Sequence, residues 1–131
     1  MRASLLFMVA LLPAVAAAQT PPLAPQALEA LQRQHAAPAL LDVRTPEEYR
    51  DGHIAGALNV PVEQLAARHG ALGFDRGQDI VVYCKSGRRA ARARQILQSL
   101  GYTRVRLLEG SADAWRAAHR PLVSEAAADD P

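Results

Sequence analysis

The sequence predicts a single α/β domain with a mainly parallel sheet covered by helices on both faces. Short apolar runs of strand length alternate with segments of helical spacing along most of the chain. Two of those runs, Ala39-Leu40-Leu41-Asp42-Val43 and Ile80-Val81-Val82-Tyr83, are almost continuously apolar, as strands buried on both faces require. The chain has 131 residues, 50% of them hydrophobic and 21% charged, which suits one modest core.

Each element has a local reason. Residues 20–25 hold three prolines and read as an extended lead-in. Leu28 and Leu31 are spaced i, i+3 and predict a short helix over residues 26–34. The first strand is 39–43. Thr45 then caps a helix that begins at Pro46, carries Glu47 and Glu48 against the positive dipole end, and stops at Gly52. Residues 57–60 form a second strand and 62–68 a small helix. The clearest strand is 79–83, followed by a helix over 87–100. That helix gathers Ala90, Ala93, Leu97 and Leu100 on one face and Arg88, Arg92, Gln95 and Ser99 on the other. A fourth strand, 105–108, and a last helix, 111–118, complete the alternation. The small, acidic residues 124–131 read as a disordered tail.

The amino terminus has the layout of an export signal: Arg2, an apolar stretch over 3–12, Pro13, and the small residues Ala16 and Ala18 before Gln19. Residues 1–18 are therefore expected to be a cleaved Sec-type signal peptide, 19–35 an extension carrying the first helix, and 36–123 the domain. The apolar stretch is short of the roughly 20 residues that span a bilayer, so an uncleaved anchor is the weaker alternative. In a bacterium the expected address is the periplasm. The formal net charge is +2, and without Arg2 the cationic residues number 14 against 13 acidic ones. So balanced a chain gives no reason to expect a polyanion partner. Aromatics are 5% and do not interleave with the arginines, which argues against nucleic acid. Nothing in the sequence demands more than a monomer.

The chain has one cysteine, so no internal disulfide exists and Cys84 is a free thiol. It lies where the strongest strand meets the strongest helix, and in parallel sheets chemistry collects beyond the carboxyl ends of strands. Helix amino termini and adjacent cations favour thiolate over thiol, so Cys84 reads as a nucleophile rather than as core. If the segment Lys85-Ser86-Gly87-Arg88-Arg89 curls around the sulfur, its amides form an anion-binding concavity. Gly87 permits the positive φ that such a curl needs. Arg88 or Arg89 supplies a fork of donors for an oxyanion, and Lys85 a point charge at the rim. The expected substrate is a small anion with an electrophilic atom. His35, His53, His69 and His119 lack metal-ligand spacing, and no metal or organic cofactor is expected. His53 is expected to bond locally in its turn and Trp115 to anchor the last helix.

These residues resemble the rhodanese family. The resemblance is carried by Asp42-Val43-Arg44, Glu47-Glu48-Tyr49, Gly52-His53-Ile54-Ala55-Gly56-Ala57 and Asn59-Val60-Pro61 in the front half. The loop Cys84-Lys85-Ser86-Gly87-Arg88-Arg89 is similar to the family's C-x-x-G-x-R, and Leu108-Glu109-Gly110 with Ala114-Trp115 to its closing segment. Size and export signal resemble the small periplasmic thiosulfate sulfurtransferases of the phage-shock type. The resemblance implies a rhodanese-like sheet of about five strands. It implies that the Cys84 thiolate attacks the outer sulfur of thiosulfate, releases sulfite and keeps a persulfide. Cyanide or a thiol would then accept that sulfur in ping-pong fashion. Asp42 and Arg44 match positions that brace the loops. Ser111 departs from the family, which often has a second glycine there.

Two rivals share the cysteine. Phosphatases and arsenate reductases of related fold carry the loop arginine six positions after the cysteine, and that position here is Ala90. A persulfide carrier or binding module without turnover would keep Cys84 and differ only in kinetics.

Overall fold

The computed structural model describes residues 2–12 and 19–125. Its centre is a four-stranded, wholly parallel sheet in the order β2-β1-β3-β4, made of β1 (Ala39–Asp42), β2 (Leu58–Asn59), β3 (Ile80–Tyr83) and β4 (Val105–Leu107). Around it lie α1 (Pro25–Arg33), α2 (Pro46–Asp51), α3 (Leu65–Arg68), α4 (Arg88–Ser99) and α5 (Ser111–Ala117). Three-residue-per-turn helix flanks α3 on both sides, at Val62–Gln64 and His69–Leu72.

The strands alternate between two cores. Leu41 and Val43 of the first strand segment, and Ile80, Val82 and Cys84 along β3, face Ala90, Ala93 and Leu97 of α4. Leu40, Val81 and Tyr83 face the opposite core with Leu28 of α1 and Ala112 and Trp115 of α5. Cys84 thus continues the period-two pattern of β3 onto the α4 side. The exposed face of α4 carries Arg88, Arg92, Gln95 and Ser99, as the helical spacing predicts.

The expectation of about five strands is corrected to four. At the free edge of β4, Leu23 donates its amide to the Leu107 carbonyl at 2.8 Å and accepts from the Glu109 amide at 2.9 Å. Pro21, Pro22 and Pro25 have no amide hydrogen, so this single bridge cannot lengthen into a ladder. The lead-in and α1 nevertheless belong to the packed body, because Leu23 and Leu28 are buried in the second core. The second strand is shorter than the expected 57–60.

The segment 2–12 has no helix or strand, and Leu5, Leu6, Phe7 and Met8 are exposed. The expected cleavage motif at Ala16 and Ala18, and most of the expected tail, lie outside the described residues. No helix among the described residues is long and apolar enough to cross a membrane.

Candidate active site

The site forms where β3 ends. Cys84 is 1% exposed, and the Gly87 amide donates to its Sγ at 3.0 Å. That bond requires the chain to turn back within three residues, and Gly87 does so at φ +128°, in the region that favours glycine. Gly87 is also the residue before α4, its carbonyl accepting from Ala91 at 2.9 Å. Among the described residues, the amides of Lys85, Ser86, Arg88 and Arg89 are not spent on other backbone carbonyls. The loop therefore keeps a set of donors without backbone acceptors, within two residues along the chain of the amide that meets the sulfur, at the amino terminus of a 12-residue helix.

The structure distributes the three loop cations differently from the sequence expectation. Arg89 does not present a free fork: its Nη1 and Nη2 donate to the two carboxylate oxygens of Glu48 at 2.7 and 3.1 Å. Glu48 also closes a capping box on α2, accepting from the Thr45 amide while its own amide donates to Thr45 Oγ1, both at 3.2 Å. The Arg89 hydrogen bond holds the Glu48 carboxyl well below the usual carboxylate range, at about 2. The same bond is the largest cause raising the Arg89 pKa, and the charge of Glu48 adds to it. Lys85 is likewise partnered, its ammonium 3.2 Å from the Asp113 carboxylate, with the two side chains 59% and 46% exposed. Arg88 is exposed and has no ion pair among the described residues.

Asp42 and Arg44 lie below this layer, both fully buried. Arg44 Nη2 donates to Asp42 Oδ2 at 2.6 Å and to the Gly52 carbonyl at 2.8 Å, and Nε reaches both Asp42 oxygens. Burial opposes the Arg44 charge, but the hydrogen bond and charge of Asp42 outweigh it and raise its pKa. The guanidinium also lies 5.5 Å from the Tyr83 ring centre, and Tyr83 Oη accepts from the Ile54 amide at 3.0 Å. The pair thereby ties the end of β1 to the end of α2, the helix that carries Glu48.

Three consecutive residues at the start of α5 hold the loop from the other side. The Cys84 amide donates to Ser111 Oγ at 3.3 Å. The Ala112 amide donates to the Cys84 carbonyl at 3.0 Å and the Asp113 amide to the Lys85 carbonyl at 2.9 Å. The sequence reading missed Glu48 and Asp113 as loop partners. Glu48 had a signal, the Thr-x-x-Glu cap, but nothing local reveals an arginine 41 residues away. His53 bonds the Tyr49 carbonyl at 2.8 Å in its own turn, and the Trp115 indole N–H donates to the Pro121 carbonyl at 2.9 Å. Among the described residues no three His, Cys, Asp or Glu side chains gather as a metal site. A surface cavity lined by Gln32, His35, Pro38, Leu40 and Gly56 contains none of the candidate residues.

A wholly parallel sheet whose internal strand β3 leads into a buried cysteine, followed by a glycine-turned loop and the helix α4, defines the class of α/β domain to which the chain belongs. The chain belongs to the rhodanese-like domain family, whose profile matches residues 24–118. It is 37% identical over 73 residues to the thiosulfate sulfurtransferase PspE of Escherichia coli, covering 56% of this chain and 70% of that protein. It is 39% identical over 85 residues to a sulfurtransferase of Allochromatium vinosum, covering 65% of this chain and 78% of that one. The solution structure of the rhodanese-like domain of the Anabaena protein Alr3790 matches with a TM-score of 0.72 at 30% identity, covering 86% of each chain.

Proposed function

We propose that the protein is a thiosulfate sulfurtransferase that moves a sulfane sulfur through a Cys84 persulfide to a thiol or to cyanide. The observation that carries this reading is the Cys84 Sγ held by the Gly87 amide, amid loop amides that have no other backbone acceptor. The Cys84 thiolate attacks the outer sulfur of thiosulfate. The sulfur–sulfur bond breaks, and sulfite leaves with its electron pair. The persulfide remains, its terminal sulfur facing the loop. A thiolate or cyanide acceptor then attacks that sulfur, and Cys84 departs as thiolate. Each transfer balances without a redox partner or a metal. Oriented amides at a helix amino terminus favour an anionic sulfur in every one of these states, the kind of preorganised electrostatics that dominates such catalysis.

The support extends to specificity. A cysteine 1% exposed admits small anions more readily than protein thiols. With Lys85 held by Asp113 and Arg89 by Glu48, Arg88 is the loop cation left to attract a dianionic donor. The A-x-A signal supports export, so that donor would be met in the periplasm.

The test is turnover by purified protein with thiosulfate and excess cyanide or thiol. Many thiocyanate or persulfide products per Cys84 are expected, with parallel-line ping-pong kinetics. A single sulfite release per Cys84, with no turnover on any acceptor, would instead indicate a persulfide carrier.

A further inference from the structure

We infer that Ser111 is a positioning residue for Cys84, an inference that rests on the persulfide reading for its consequence but on geometry for its substance. Ser111 is buried at 1% exposure and adopts φ +53°, a region that L-residues avoid and that glycine enters without steric cost. Its neighbour Gly110 is already left-handed at φ +71°, so two consecutive residues turn this way and only one of them is glycine. A serine at this place carries a polar group that glycine lacks, a hydroxyl, and that hydroxyl accepts the Cys84 amide.

The bond matters because of where it falls on the nucleophile. The peptide unit before Cys84 is anchored through its N–H to Ser111 Oγ, and the unit after it through its C=O to the Ala112 amide at 3.0 Å. With both flanking peptide planes fixed, the φ and ψ of Cys84 are fixed, and the sulfur has only its side-chain torsion left to vary. The Gly87 amide at Sγ then selects one direction for it. Removing Ser111 Oγ frees the first plane and leaves the Cys84 amide, in a buried site, without its acceptor. The same anchor engages the Cys84 amide, while the amides of Lys85, Ser86, Arg88 and Arg89 have no backbone acceptor among the described residues.

The test compares Ser111→Gly, which removes the hydroxyl and relaxes the backbone, with Ser111→Ala, which removes the hydroxyl and keeps the Cβ. Cys84 is the only cysteine, so iodoacetamide alkylation reports on it alone and does not depend on sulfur transfer. Both variants are expected to alkylate faster by about fivefold, the scale of one lost hydrogen bond, while kcat with thiosulfate falls by at least about fivefold and KM stays within about twofold. Ser111→Gly is expected to retain its thermal midpoint, which separates positioning from general destabilisation. Wild-type alkylation and wild-type kcat in Ser111→Gly would overturn the inference. So would a defect confined to Ser111→Ala, since it would show that a relaxed backbone positions Cys84 without the hydroxyl. Faster alkylation in both variants of a protein that turns over no thiosulfate would uphold the positioning role and overturn the proposed activity instead.

Discussion

Replacing Glu48 by glutamine isolates the charge that holds Arg89. Glutamine at this place can still serve the capping box, so α2 keeps its start while the ion pair is lost. The Glu48 carboxyl is depressed from 4.5 to about 2. Taken at face value that depression corresponds to roughly 3 kcal/mol of stability at neutral pH. The two side chains are 32% and 30% exposed, so solvent screening reduces the expected contribution to about 1–2 kcal/mol. For a domain of this size that is a fall in Tm of about 5–10 °C at pH 7. The sign follows from the direction of the shift. A depressed carboxyl stabilises the fold above its unfolded pKa near 4.5 and loses that contribution as pH falls through about 2. The assay is thermal unfolding of wild type and Glu48→Gln across this range. The two Tm curves should be furthest apart near neutrality and converge below about 4.5. A separation under about 1 °C at pH 7, or one that stays constant down to pH 3, would refute the coupling of Glu48 to Arg89.

Three further perturbations address other layers. Arg88→Ala should raise the KM for thiosulfate by about fivefold, the worth of about 1 kcal/mol of rim charge, whereas Lys85→Ala should change it less than about twofold because Asp113 already offsets Lys85; steady-state kinetics at two salt concentrations checks the order of the two. Asp42→Ala leaves the buried Arg44 without its carboxylate and should cost about 3–5 kcal/mol in denaturant unfolding, while Asp42→Leu combined with Arg44→Met should cost less than the single change. If residues 1–18 are an export signal, protein recovered from the periplasm of a bacterial host should begin at Gln19 on amino-terminal sequencing; an intact Met1 in that fraction would count against cleavage.

The strands β1 and β3 are legible because both their faces are buried, which leaves nearly continuous apolar runs in the sequence. Thr45, Pro46 and Gly52 marked α2 for an equally local reason, and Gly87 marked the left-handed turn of the loop. The sequence could not show which cations were already spoken for. Glu48 meets Arg89 across 41 residues and Asp113 meets Lys85 across 28, and only the packing of α2 and α5 against the end of β3 creates those pairs. The assignment of Arg88 or Arg89 as the anion fork stayed open for that reason. Ser111 was visible as a departure from the family, but its left-handed backbone and its bond to the Cys84 amide appear only when α5 is docked. The expected fifth strand reduces to the single bridge at Leu23, a consequence of the prolines that surround it.

The central claim is that Cys84 carries sulfur. Intact-mass measurement of the protein after anaerobic thiosulfate treatment tests it most directly, with peptide mapping to place the adduct. The wild type should gain one sulfur atom on Cys84, reversible by cyanide, and Cys84→Ser should fold with the same Tm and gain none. An unmodified wild-type mass, or a sulfur adduct that persists in Cys84→Ser, would contradict the account.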